Sequence, residues 1–138
     1  PAGLWLANAI RGIVPDHALI APIPLHWLRM VKRRYNQSAL LARALAAQLD
    51  HSCSPDLLQR VRRTRSLDGL NREERRKTLE NAIRVHPRRR HQIAGRPVVI
   101  VDDVMTTGAT LAAATRACHD AGSGAVFIVT LARVGKAP

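Results

Sequence analysis

Pro97-Val98-Val99-Ile100-Val101-Asp102-Asp103-Val104-Met105-Thr106-Thr107-Gly108-Ala109-Thr110 is the stretch from which the rest of this 138-residue chain can be read. Val98 to Val101 is an unbroken apolar, β-branched run, the pattern of a short strand buried on both faces of a parallel sheet. Asp102 and Asp103 follow at once and so stand at the carboxyl end of that strand, where open α/β sheets place their ligands. A turn of small and hydroxylic residues comes next, Thr106, Thr107, Gly108, Ala109 and Thr110. Beyond it Leu111, Ala114, Cys118 and Ala121 recur at helical spacing, which predicts a helix starting near Gly108 with one apolar face.

Strand, acidic pair, hydroxyl-rich turn and helix together suit a ligand that carries a phosphate and a sugar. Main-chain N–H groups at a helix N-terminus lack internal partners and sit at the positive end of the helix dipole, so they attract phosphate, and threonine hydroxyls add donors. The two carboxylates can accept hydrogen bonds from vicinal sugar hydroxyls or hold a hydrated magnesium ion. A glycine at position 108 allows positive φ and close approach of the ligand. The chain contains neither G-x-x-x-x-G-K-[ST] nor G-x-G-x-x-G, so neither common nucleotide motif applies.

Val98 to Thr110 resembles the phosphoribosyl-pyrophosphate (PRPP) signature of the type I phosphoribosyltransferases, position for position. That resemblance implies an α/β fold, a mostly parallel sheet flanked by helices. It also implies a PRPP site made of Asp102, Asp103, Val104, Met105, Thr106, Thr107, Gly108, Ala109 and Thr110, with Asp102 and Asp103 toward the ribose hydroxyls and Mg2+.

Upstream, Ala18 to Pro24 reads as a short strand and a proline-stiffened turn, with Pro22 marking the strand's edge or end. A helix is expected from about Asn36 to Leu49, with Leu41, Leu45 and Leu49 beside Leu40 and Ala44, and Asn36 or Ser38 as its N-cap. Pro22-Ile23-Pro24-Leu25-His26 and Arg33-Arg34-Tyr35-Asn36-Gln37 are similar to two signatures of the ComF family, which includes the GntX-like proteins. In that family the second usually reads Arg-Gly-Phe-Asn-Gln, so Arg34 and Tyr35 are departures. Leu58 to Val85 is similar to its third block, with Leu67, Thr78 and Ile83 standing where glutamine, asparagine and phenylalanine are usual. His86 to Arg96 reads as a polar connection, and Ala125 to Leu131 as another apolar strand. The resemblance runs from about Ile20 to Arg133 without the family's N-terminal zinc ribbon, and the chain begins at Pro1 with no methionine. It therefore reads as one phosphoribosyltransferase-like domain over 1–138, a fragment of a longer protein.

The formal net charge is +12, and between Arg60 and Arg90 there are 12 Lys or Arg against 4 acids. Part of this is an ordinary solvated face, since Glu73 and Glu74 can pair with their helical neighbours. Arginine recognises pyrophosphate with a planar fork, so Arg33, Arg34, Arg62 and Arg63 are the candidates for that group, with Arg60 beside them. The family resemblance places the Pro22–His26 turn near the pyrophosphate. The same basic surface suits nucleic-acid phosphates, and the family's association with natural transformation implies an alternative, an accessory protein for DNA uptake. Only four aromatics, Trp5, Trp27, Tyr35 and Phe127, are present to stack bases.

Six histidines show no metal-ligand spacing, and the two cysteines, Cys53 and Cys118, form no C-x-x-C pair and read as reduced thiols. No run is long and apolar enough to span a membrane and there is no leader, so the expected location is cytoplasmic. Thr106 bears on the acceptor. In the 6-oxopurine salvage enzymes of this fold the equivalent position is an aspartate facing the purine, and here the loop resembles the orotate type. Neither the acceptor nor the oligomeric state is written in the sequence.

Overall fold

The computed structural model describes residues 7–8, 10–24, 37–61, 69, 71–74, 83–102, 108–130 and 134–137. The elements, in chain order, are β1 (Leu19–Pro22), α1 (Gln37–Leu49), β2 (Leu58–Arg60), β3 (Ile83–Val85), β4 (Val98–Val101), α2 (Gly108–Asp120), β5 (Val126–Val129) and β6 (Val134–Lys136), with a short 3-10 turn at Arg90–Ile93.

The strand expected at Val98 to Val101 is β4, buried at all four positions. It is flanked on both sides by parallel partners, β1 with Leu19 opposite Val98 and β5 with Val98 opposite Val126. The sheet order among the described strands is β1-β4-β5-β6, with β6 antiparallel to β5. Beyond β1 the sheet continues as a single parallel bridge, Ile20 to Cys53, in which the Ile20 N–H donates to Ser52 O at 3.0 Å and the Ser54 N–H to Ile20 O at 2.9 Å. Pro22 is tolerated because of this asymmetry. Leu19 and Ile23 donate toward β4, so the residues between them with opposite phase, Ile20 and Pro22, face the bridge side, where pairing stops and no donor is needed at Pro22. Pro22 is thus the strand's end, and not an edge in the strict sense.

The two crossovers run in opposite directions. One leaves β1 through α1 to Cys53 on one side, and the other leaves β4 through α2 to β5 on the other side. Right-handed crossovers of opposite direction must lie on opposite faces. The core obeys this: Ile20, Val99, Val101, Phe127 and Val129 pack with Ala42, Leu45 and Ala46 of α1, whereas Leu19, Ala21, Val98, Ile100 and Val126 pack with Ala113, Ala114 and Cys118 of α2. Alternate residues of each strand therefore serve two cores, and both faces must be apolar.

The apolar face of α2 is the expected one, with Ala114 and Cys118 buried and Leu111 and Ala121 packed against the same core. That of α1 is rotated. Leu45 is buried and Leu41 and Leu49 pack at its margin, but Leu40 is 51% exposed and Ala44 is exposed; Ser38, Ala42 and Ala46 take the buried places. Alanine at 42 and 46 allows the helix to lie close on the sheet, and leucine at 40 would not fit there. Ser38 lies inside the helix and is not its N-cap, while Asn36 lies outside the described residues.

A two-stranded antiparallel hairpin, β2 with β3, was not expected from the sequence. Three-residue strands are too short to show an alternating pattern. No helix among the described residues is long and apolar enough to cross a membrane.

Candidate functional site

The carboxyl ends of β1, β4 and β5 meet at one edge of the sheet, and the reversal of crossover direction between β1 and β4 makes this a topological switch point. Two main-chain hydrogen bonds extend the strands past their named ends: the Ile23 N–H donates to Val101 O at 2.9 Å and the Asp102 N–H to Val129 O at 2.9 Å. Ile23, Asp102 and Thr130 are thereby held side by side as the first residues beyond three parallel strands. Asp102 is only 1% exposed, so its carboxylate is a built-in feature of the edge and not a solvated surface charge.

Gly108 is the first residue of α2. The first-turn N–H groups of this helix have no carbonyl four residues earlier within it, and no acidic side chain lies in that turn to satisfy or repel an anion. The positive φ that glycine permits is not used here; the glycines with positive φ are Gly69, Gly95 and Gly122. What Gly108 supplies is room, because a Cβ built on it meets nothing within 4 Å and the residue is exposed. Thr110 differs from Gly108, since its side chain is buried within the first turn. Asp103, Val104, Met105, Thr106 and Thr107 lie outside the described residues, as does the side chain of Ala109.

The pyrophosphate candidates Arg33, Arg34, Arg62 and Arg63 also lie outside the described residues. Their neighbour Arg60 is described. It ends β2, is partly buried, and donates from Nε to the carbonyl of Pro24 at 3.2 Å. That bond fastens the base of the hairpin to the turn after β1, at the same edge as Asp102. Sequence reasoning misses Thr130; the available signal is a hydroxyl just past the apolar run of β5.

The arginines between β3 and β4 are at work elsewhere. Arg96 donates to His17 O at 2.7 Å, Arg90 to Asp120 O at 3.2 Å, and Arg89 grips both carboxylate oxygens of Asp56 at 3.2 to 3.3 Å. The Arg89 hydrogen bond holds the Asp56 carboxyl below its usual range. Both side chains of that pair are largely solvated, at 42% and 48% exposure, so it adds about 0–1 kcal/mol at most. Among the described residues no three His, Cys, Asp or Glu side chains gather as a metal site.

Both thiols are free. Burial pushes Cys118 up from 9.0 to about 12, and burial also raises Cys53, with Arg43 opposing. Cys118 is therefore expected to stay unreactive toward a thiol-specific disulfide reagent at pH 8 until the chain is unfolded in denaturant. The sign for stability follows: the unfolded thiol releases its proton near 9 and the folded one near 12, so stability falls as pH rises through that window. Labelling of Cys118 in the native state at pH 8 would contradict its place in the core.

A phosphoribosyl transferase domain model matches residues 36–137. Competence protein F of Haemophilus influenzae is 34% identical over 130 residues, covering 91% of this chain and 56% of that protein. DNA utilization protein YhgH of Escherichia coli K12 is 34% identical over 120 residues, covering 87% of this chain and 50% of that protein. The chain thus spans about half the length of these curated relatives. Among solved structures, the allosteric regulatory enzyme of purine biosynthesis shares the fold at a TM-score of 0.60 with 18% identity, covering 94% of this chain and 25% of that one. TT1426 from Thermus thermophilus does so at 0.56 with 18% identity, covering 94% of this chain and 71% of that one. With its mostly parallel sheet, its switch-point edge and a domain match over most of its length, the chain belongs to the phosphoribosyl transferase domain family, has the type I fold, and is ComF-like in sequence.

Proposed function

We propose that this domain binds PRPP, or another phosphorylated ribose, at the β1/β4 edge and uses it as a phosphoribosyl donor. One observation carries the reading: a buried aspartate, Asp102, and an unobstructed glycine helix start, Gly108, bracket a loop at the switch point of a phosphoribosyl transferase fold. In this reading Thr106, Thr107, Gly108, Ala109 and Thr110 hold the 5-phosphate, by hydroxyl and main-chain donors. Asp102 and Asp103 accept hydrogen bonds from the ribose hydroxyls. Arg33, Arg34, Arg62 and Arg63 bind the pyrophosphate, and Arg60, fastened to Pro24, holds the hairpin base next to them.

Transfer breaks the bond from C1 to the pyrophosphate oxygen as a nucleophile bonds to C1, through a transition state with oxocarbenium character. The arginines stabilise the charge that develops on the departing pyrophosphate, and the carboxylates fix the ribose so that C1 faces the acceptor. Asp102 and Asp103 also fit magnesium, which binds through one or two carboxylates plus substrate phosphates, and whose charge would neutralise the pyrophosphate. A cytoplasmic location belongs to the same proposal. The direct test is incubation with PRPP, magnesium and pooled nucleobases, with pyrophosphate release as the readout; no release with any base would remove the transferase reading.

Exchange of Arg62 and Arg63 for Ala is expected to weaken PRPP roughly ten-fold or more per arginine, since hydrogen bonds to charged groups contribute about 1.5–3 kcal/mol, and to leave ribose 5-phosphate nearly unchanged. Equal losses for both ligands in calorimetry would assign these arginines to general charge. For the acceptor, a threonine at 106 cannot serve as a base near neutrality. Negligible turnover of hypoxanthine and guanine is expected in parallel assays with adenine and orotate, each with Thr106→Asp alongside. Robust turnover of either purine by the parent would contradict this.

The names of the relatives and the net charge of +12 support a second reading, an accessory role in DNA uptake in which the basic surface binds nucleic acid. Affinity for labelled single-stranded DNA that falls steeply with salt would favour it.

A further inference from the structure

We infer that the outer edge of β3 is a docking site for an extended acidic segment of a partner protein, taken up as a third strand of the hairpin. The His86 N–H donates to Leu57 O at 2.7 Å, and the register pairs Leu58 with Val85, Gln59 with Arg84 and Arg60 with Ile83. In an antiparallel ladder hydrogen-bonded pairs alternate. Gln59 and Arg84 therefore exchange the next bonds, and the N–H and C=O groups of Ile83 and Val85 point away from β2. No hydrogen bond among the described residues takes them. Their side chains face the other way, onto the core against α2, so the strand lies flat with one edge open.

Beside that edge is a cleft of about 360 Å³ lined by Ile83, Arg84, Val85, Arg90, Ala117 and Ala121 among others. That volume is in the range of pockets that hold specific ligands. Its floor is small and apolar, suited to alternate side chains of an added strand, and its rim is basic. Arg84 is exposed and, among the described residues, tied to Gln59 Oε1 at 3.2 Å; Arg90 spends one nitrogen on Asp120 O, and Asp120 is the one acid in the lining. An open strand edge with a cationic rim fits main-chain pairing to an acidic segment whose carboxylates meet the arginines. The cleft lies toward the C-terminal end of α2, away from the edge that holds Asp102 and Gly108.

The test uses the full chain with a fluorescein-labelled hexapeptide alternating valine and glutamate, and its valine and lysine counterpart as control. Anisotropy is expected to rise with the acidic peptide alone, and exchange of the Ile83 and Val85 amide hydrogens to slow when it binds. Arg84→Glu is expected to weaken the peptide at least ten-fold. Val85→Pro removes an outward N–H without touching the ladder to β2 and is expected to abolish binding. If that variant does not fold, Arg84→Glu and the exchange measurement decide alone. Absence of binding at millimolar peptide, equal binding of both peptides, or binding without slowed exchange at the two amides overturns the inference. Slowed exchange that grows with protein concentration and needs no peptide assigns the edge to a second copy, and displacement of the peptide by single-stranded DNA assigns the rim to phosphates; either result overturns it too.

Discussion

PRPP at a hundred times its dissociation constant is expected to raise the melting temperature by about 9 °C, and Gly108→Val to abolish that rise. A ligand at that concentration adds about 2.7 kcal/mol to the folded state. At about 2.1 cal/mol/K per residue, the unfolding entropy of a 138-residue chain converts this to about 9 °C. Ribose 5-phosphate, lacking the pyrophosphate, is expected to give a smaller shift. The variant is informative because the fold does not need glycine there: φ is not positive and an added Cβ meets nothing within 4 Å. The new side chain instead occupies the space in front of the helix start where the 5-phosphate would sit. The variant's own melting temperature is expected to stay within a few degrees of the parent's. Differential scanning fluorimetry with and without PRPP checks both statements, and an undiminished shift in Gly108→Val would remove the phosphate from this loop.

Ile100→Ala is expected to destabilise the chain by on the order of 3–4 kcal/mol, within the range of about 2–5 kcal/mol for a buried isoleucine cut to alanine. Ile100 has no exposed surface, sits between Ala21 of β1 and Ile128 of β5, and packs with Ala113, Ala114 and Cys118 from α2. Its neighbours are mostly small and cannot move to fill the cavity. Ile128→Ala, at a half-buried position on the same face, is expected to cost clearly less. Urea denaturation measures both. A loss below about 1 kcal/mol for Ile100→Ala would be incompatible with a central strand serving a closed core. Since domains of this size hold only about 5–15 kcal/mol in all, the variant is best measured at low temperature.

The two helices show why sequence reading succeeded unevenly. On α2 the apolar residues are small and sparse, so Leu111, Ala114, Cys118 and Ala121 could mark only one face. On α1 alanines and leucines fill every position from Ala39 to Ala47 except Arg43, so several faces are apolar, and which one turns inward was decided by the fit of Ala42 and Ala46 against the sheet. Arginine was harder still. Arg60, Arg89, Arg90 and Arg96 look alike in a basic run, yet one fastens the hairpin to Pro24, one pairs with Asp56, and two bond carbonyls far along the chain. A guanidinium reaches any acceptor the fold brings near, and local sequence carries no record of which one that is.

The sequence by itself determined the strand at Val98–Val101, the carboxylates at its end, the helix starting at Gly108 and hence the class of fold, because each of these is set by residues within a few positions of one another. Only the tertiary structure decided that β1, β4 and β5 end together, that Asp102 is buried there, and that a short hairpin is pinned by Arg60 to the same edge. Those outcomes depend on pairings between segments 28 to 79 residues apart, and such pairings follow from the direction of crossovers and the shape of two cores, which no local pattern encodes.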